Sequence, residues 1–178
     1  MNETDQHIDP NDRFDLFSYE RYFNDGACII REGEDLMYLS ETPDAYLKQV
    51  YPPDPATVAT LTSYFPDTLT LKSRGQFIKE WDIPIGIWKE YDRYGMEVES
   101  INQDEHYPVS WEEMQKRFLA NGIHVDDIRQ LRRIQNPNTQ RYLWVLTLKS
   151  PHGIIDIAQF DGETGDLIER KQTQIKVS

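Results

Sequence analysis

The sequence predicts an α+β fold in which antiparallel sheets carry helices packed on one face. Three observations point there. A capped amphipathic helix occupies 110–121. Apolar runs separated by turn residues fill 141–170. Short aromatic or alternating stretches, broken by Asn, Asp, Gly and Pro, fill most of 16–103. Residues 1–13 lack apolar periodicity and are expected to form a flexible leader. A single compact domain is expected over 14–178, mostly β at 14–103 and a helix plus β meander at 104–178.

Taken along the chain, residues 16–23 are rich in aromatics and read as a strand. Asn24-Asp25-Gly26 is a turn, and Ala27–Glu32 returns as its partner. Gly33-Glu34-Asp35 turns again into 36–39, which makes a small meander. Thr42-Pro43-Asp44 has the form of a helix start: Thr as N-cap, Pro at the first helical position, an acid in the first turn. Ala45, Tyr46, Leu47 and Val50 would be that helix's apolar side, and Pro52-Pro53 its stop. Asp54-Pro55 is expected to open another short helix with Val58 and Leu61 inward. From 61 to 103 the chain reads as strands and turns, with Leu69 and Leu71 alternating with polar residues and Gly75, Pro84, Gly86 and Gly95 as punctuation.

The helix at 110–121 is the clearest element. Ser110 and Glu113 form a capping box. Trp111, Met114, Phe118 and Leu119 lie on one helical face, and Asn121-Gly122 supplies the stop. Ile123, Ile128, Leu131 and Ile134 continue an apolar spacing that suits a second short helix near Asp126. The run at 141–148 reads as a central strand. Turns at 150–153 and 161–165 set off the strands at 154–160 and 167–170.

Composition excludes several function classes. The chain has 178 residues, 38% of them hydrophobic, one Cys and a net charge of −12. Its apolar runs are too short for a transmembrane span, so no membrane partner is expected. A lone Cys excludes an internal disulfide and multi-cysteine zinc sites. No secretory leader is visible. A pI near 4.7 argues against nucleic acid, whose phosphates require Lys and Arg, and suits a basic protein partner. The charge is uneven: 13 acids and 4 bases in 1–60, 11 and 7 in 61–120, 7 and 8 in 121–178.

Motifs for chemistry are absent. G-x-S-x-G, G-x-x-x-x-G-K and G-x-G-x-x-G do not occur, and neither does H-E-x-x-H. The adjacent carboxylates at 34–35, 104–105, 112–113 and 126–127 read as solvated, with Glu112 and Glu113 complementing a helix N-terminus. His7, His106, His124 and His152 belong to no ligand pattern. Residues 161–166 suggest a β-turn rather than a calcium loop. Cys28, between Ala27 and Ile29, reads as an inert core thiol. No catalytic residue, metal ligand or cofactor is therefore expected.

Two stretches resemble known patterns. Residues 81–100 are similar to the variant MORN repeat, through Gly86, Trp88, Tyr91 and Gly95. In that likeness Gly86 turns the chain, Trp88 and Tyr91 pack, and Gly95 makes the hairpin bend. Residues 111–170 resemble a PepSY-type module, with Asp161, Thr164, Gly165 and Leu167 matching its tail pattern. Small proteins built from such pieces look like the immunity or antitoxin members of bacterial toxin–immunity pairs, including those of type VI and contact-dependent systems. The resemblance implies a non-enzymatic, cytoplasmic protein that neutralises a cognate toxin, or a periplasmic one if a leader has been removed.

On that reading the partner is basic. Glu32, Glu34, Asp35, Asp92, Asp104 and Glu105 are the acids expected to meet it, and Tyr91, Tyr94 and Tyr107 the aromatic anchors. The alternative is a PepSY-type accessory module that takes a small molecule or peptide in an apolar groove between the 110–121 helix and the C-terminal sheet.

Overall fold

The computed structural model describes residues 12–53, 57–151 and 154–174. They fall into two compact units, one ending at Gln103 and one beginning at Asp104. Both are antiparallel meanders, and the fold is predominantly β. The expectation of several helices packed on one face is corrected to a single helix of more than four residues among those described.

The first unit opens with a four-residue helix, α1 (Leu16–Tyr19), and a 3-10 turn at Glu20–Tyr22. These replace the strand expected at 16–23. The Asp15 carboxylate accepts from Ser18 N (3.1 Å), which closes a helical turn. Tyr19 and Phe23 of this segment pack on the core, while Phe17 and Tyr22 are exposed. Seven strands follow: β1 (Ala27–Glu32), β2 (Asp35–Thr42), β3 (Ala45–Tyr51), β4 (Val58–Tyr64), β5 (Leu71–Ile78), β6 (Ile83–Tyr91) and β7 (Glu97–Asn102). They pair in sequence order, each with the next. The leader's end is tied in, since Arg13 bridges Thr70 and Phe14 N donates to Leu69 O (2.9 Å).

The helix expected from Thr42 is instead the β2–β3 hairpin. Thr42 Oγ1 accepts from Ala45 N and donates to Ala45 O, both at 3.0 Å. The same three residues can start a helix or close a turn, and pairing of Tyr46 to Val50 with strands on both sides decides for the turn. The Asp54-Pro55 helix start lies outside the described residues, while Val58 and Leu61 are on β4.

One end of one face of this sheet carries an aromatic cluster of the core. Phe14, Leu39, Tyr64, Leu71 and Tyr91 cluster there, with Leu16, Tyr19, Phe23, Cys28 and Tyr46 packed around them. Phe14 stacks on Tyr46 with ring centroids 4.9 Å apart. Burying such a side chain contributes about 1.5–3 kcal/mol. Burial also pushes the Cys28 thiol up, away from the reactive thiolate.

The second unit's helix, α2 (Trp111–Ala120), keeps the Ser110 half of its predicted capping box: Ser110 Oγ accepts from Glu113 N (3.2 Å), while the Glu113 carboxylate faces Arg117 (3.6 Å). A 3-10 turn at Val125–Asp127 leads into β8 (Ile128–Gln135), β9 (Tyr142–Leu148), β10 (Ile154–Asp161) and β11 (Leu167–Gln174). Their order is β11-β10-β9-β8. A second full helix near Asp126 is absent. A register shift between Ile128 and Gln130 puts Ile128 and Leu131 on one face of β8, both buried. The inserted residue stretches a spacing of two into three, which imitates helical periodicity.

The helix lies on the face formed by Leu131, Trp144, Leu146, Ala158 and Phe160. Trp111 stacks against Trp144 at 5.9 Å, and Phe118 meets Phe160 edge-on at 4.9 Å. Met114, Phe118, Trp144 and Phe160 are all fully buried. The apolar groove expected between helix and sheet is thus filled by the protein's own side chains.

Candidate interaction surface

The structure places the nominated residues at two hairpins of the first unit and at the start of the second unit. Glu32, Glu34 and Asp35 sit at the β1–β2 hairpin, with Glu32 paired to Asp35 across it. Tyr91, Asp92 and Tyr94 belong to the β6–β7 hairpin, at the other end of the strands and the other edge of the same sheet. Asp104, Glu105 and Tyr107 belong to the second unit. The two hairpins of the first unit do not make one site.

Several have structural work instead. Tyr91, nominated as an exposed anchor, is buried in the first unit's core. Asp92 Oδ1 accepts from Tyr94 N (2.8 Å) and Met96 N (2.9 Å), closing the hairpin. Tyr107 is likewise buried, and its hydroxyl donates to Ile134 O (3.2 Å). Asp104 holds Arg133 at 2.7 Å, and that guanidinium lies over the rings of Tyr107 (4.5 Å) and Trp144 (4.2 Å). Burial lowers the Arg133 pKa, and the Asp104 contact works against that shift. Tyr94, 92% exposed, is the aromatic of the three that reaches solvent. Glu32, Glu34 and Glu105 are exposed as expected.

The repeat-like stretch has a defined geometry. Trp88 lies directly over Gly75 of the neighbouring strand, where a Cβ would sit 2.1 Å from Trp88 Cδ2. The indole Nε1 donates to Gln76 O (3.0 Å), which fixes the ring. Gly75, expected as loop punctuation, is therefore a mid-strand gap that the Trp fills. Gly86 does not turn the chain; it lies inside β6 with φ +67°. Gly95 does sit in the hairpin bend, with φ +82°.

Register reveals a surface that composition could not. Ile29, Tyr38, Gln49, Leu61 and Gly75 are successive cross-strand partners, so their side-chain positions share one face. Trp88 covers Gly75 on that face, and Ile101 is its partner on β7. The resulting row crosses all seven strands, opposite the face that holds Leu39 and Cys28. Its outer members stay in water: Ile29 is 66% exposed, Tyr38 37% and Ile101 39%. Toward the β1–β2 hairpin the row borders a shallow concavity of about 350 Å³, lined among others by Arg31, Glu34, Leu36, Tyr51 and Lys79. Two residues from Trp88 and Ile101, the same face carries Glu90 directly opposite Glu99. Neither carboxylate has an ion-pair or side-chain hydrogen-bond partner among the described residues.

The single signal for this face in the sequence is the alternation of Ile29, Tyr38 and Trp88 within their strands. It becomes a surface only once seven registers are known. Among the described residues, no group of three or more His, Cys, Asp or Glu side chains is placed to hold a metal ion. No described helix is long and apolar enough to cross a membrane. Comparison with protein-family models, curated proteins and solved structures finds no match to this chain.

Proposed function

We propose that the chain is a non-enzymatic, cytoplasmic immunity-type protein that binds and neutralises a basic toxin through its first unit. The observation that carries this reading is the division of charge. The unit ending at Gln103 holds 20 acids and 9 bases, net −11; the remainder holds 11 and 10, net −1. A field of that sign raises the encounter rate with a basic protein. An aromatic and aliphatic sheet face in the same unit supplies contact area once the partner arrives. The acids at the β1–β2 hairpin and Tyr94 at the other end stand at the rim of that surface.

The test is co-expression with the protein encoded beside this one in its genome, read as survival and as co-purification. The expected result is protection by the full chain, a complex that survives gel filtration, and an association rate that falls steeply with added salt. No complex and no protection would sink the reading. Protection without a complex would point away from inhibition by binding.

A further inference from the structure

The shallow concavity beside the β1–β2 hairpin joins two cationic side chains to an apolar wall. We propose that it is a binding site for an organic acid, a carboxylate carried on an aromatic or branched apolar body. The inference goes beyond the inhibitor reading and does not depend on it. The acids of this unit would draw a basic protein, whereas this site would take an anion.

Register brings the lining together. Arg31, Leu36 and Tyr51 are successive cross-strand partners on β1, β2 and β3, so their side chains leave the sheet on one face. Lys79 arrives from the end of β5. It lies two residues beyond Phe77, whose ring meets that of Tyr51 edge-on at 6.0 Å, and its Nζ donates to Pro52 O at 3.4 Å. All four residues line one concavity of about 350 Å³, with Pro52 and Pro53 beside Tyr51. That volume is in the range of small-ligand sites.

The charges point to the class of ligand. The unit carries 20 acids and 9 bases, yet two of those bases meet here, with Glu34 as the acid beside them. Arg31 makes no ion pair and no side-chain hydrogen bond among the described residues. A guanidinium without an internal partner keeps its planar fork for a carboxylate, which it can pair at two oxygens. Lys79, half-buried, adds a second cationic donor. The apolar half of the site is built before a ligand arrives. The Tyr51 hydroxyl donates to Gln49 Oε1 (3.0 Å) and its ring rests on Phe77, so the ring is fixed at both ends. The proline rings cannot swing and bring no N–H that would need a partner. Little ordering is then lost on binding. A bare phosphate would leave this wall in water, and an amine would meet two like charges. A carboxylate on an apolar body uses both halves.

The test is titration of phenylacetate into the isotope-labelled full chain, with phenylacetamide as its uncharged twin. A second pair, acetyl-Ala-Ala-Phe with a free or an amidated end, separates a free acid from the end of a polypeptide. The expected result is a saturable shift of the Arg31, Leu36, Tyr51 and Lys79 amides by an acid, with its amide binding about tenfold more weakly. Whichever acid binds more tightly identifies the source. Arg31 has no side-chain partner among the described residues, so Arg31→Gln is expected to melt with the parent, and failure to fold cannot imitate loss of binding. It should lower the affinity for the acid about tenfold and leave that for the amide unchanged. Glu34→Gln should raise the affinity for the acid about threefold, by removing a like charge from the rim. Equal binding of acid and amide would overturn the site. So would an unchanged acid affinity in Arg31→Gln, shifts centred elsewhere, or no saturation below about 30 mM. None of these outcomes bears on toxin neutralisation, which co-expression decides separately.

Discussion

The unit ending at Gln103 holds seven strands, 20 acids, 9 bases and an aromatic cluster, and leaves Ile29, Tyr38 and Ile101 of one sheet face in water. The unit from Asp104 uses four strands, nearly balanced charge and a helix that covers its sheet with Trp111, Met114 and Phe118. The difference separates two uses of a tryptophan. Trp144 is fully buried, with Trp111, Tyr107 and Arg133 around its ring. Trp88 is supported on one side by Gly75. A covered sheet spends its large side chains on stability, whereas an open one keeps them available for contact.

The largest expected effects break that comparison directly. Trp144→Ala should cost about 3–5 kcal/mol, as for other fully buried aromatics. Trp88→Ala should cost about 1–2 kcal/mol, because less of the ring is removed from water. Urea unfolding followed on the remaining tryptophans reads both, and equal costs would show that the Trp88 face is as closed as the helix-covered one. Gly75→Val should cost more than Trp88→Ala, about 3 kcal/mol, since its side chain would overlap the indole and a strand neighbour must shift.

A middle-sized effect concerns charge. Asp156 is 4% exposed and accepts from Arg170 Nε (3.2 Å) and Nη2 (2.9 Å) and from Gln172 Nε2 (2.9 Å). The Arg170 contact holds its carboxyl below the usual carboxylate range. Because the folded pKa lies under the unfolded one, this contribution is complete above about pH 4 and is lost as pH falls through the folded value. Asp156→Asn should therefore destabilise the second unit by about 1–3 kcal/mol at pH 7. The gap to the parent should narrow in acid, measured by melting at a series of pH values. A gap independent of pH would assign the effect to packing.

The smallest effect is at the helix start. Ser110→Ala removes the bond from Glu113 N and should cost about 1 kcal/mol, read as a lower urea midpoint with unchanged slope. A cost below a few tenths would mean that burial on the sheet holds the first turn without its cap.

Elements whose cause is local were legible. The cap of α2 depends on Ser110 and Glu113, four residues of chain, and its apolar face on a fixed period. The C-terminal strands were legible because their turns carry Asp, Gly and Pro at close spacing. Elements with two local solutions were not. Thr42-Pro43-Asp44 suits a helix start and a hairpin alike. The aromatics at 16–23 suit a strand until Asp15 closes a turn and Tyr19 and Phe23 pack on the core cluster. A bulge gave β8 the spacing of a helix. The nominated acids and tyrosines were legible as residue types, yet Tyr91 and Tyr107 are core and Asp92 and Asp104 are bound within the fold.

By itself the sequence determined the charge and its concentration in the N-terminal part, the capped helix, the turns and the lack of catalytic motifs, since each is set by composition or by neighbours a few residues apart. Tertiary structure alone decided that Ile29, Tyr38 and Trp88 share a face, that Glu90 meets Glu99, and that the groove beside α2 is filled. Those facts depend on strand register, and a shift of one residue would send every side chain of a strand to the other side.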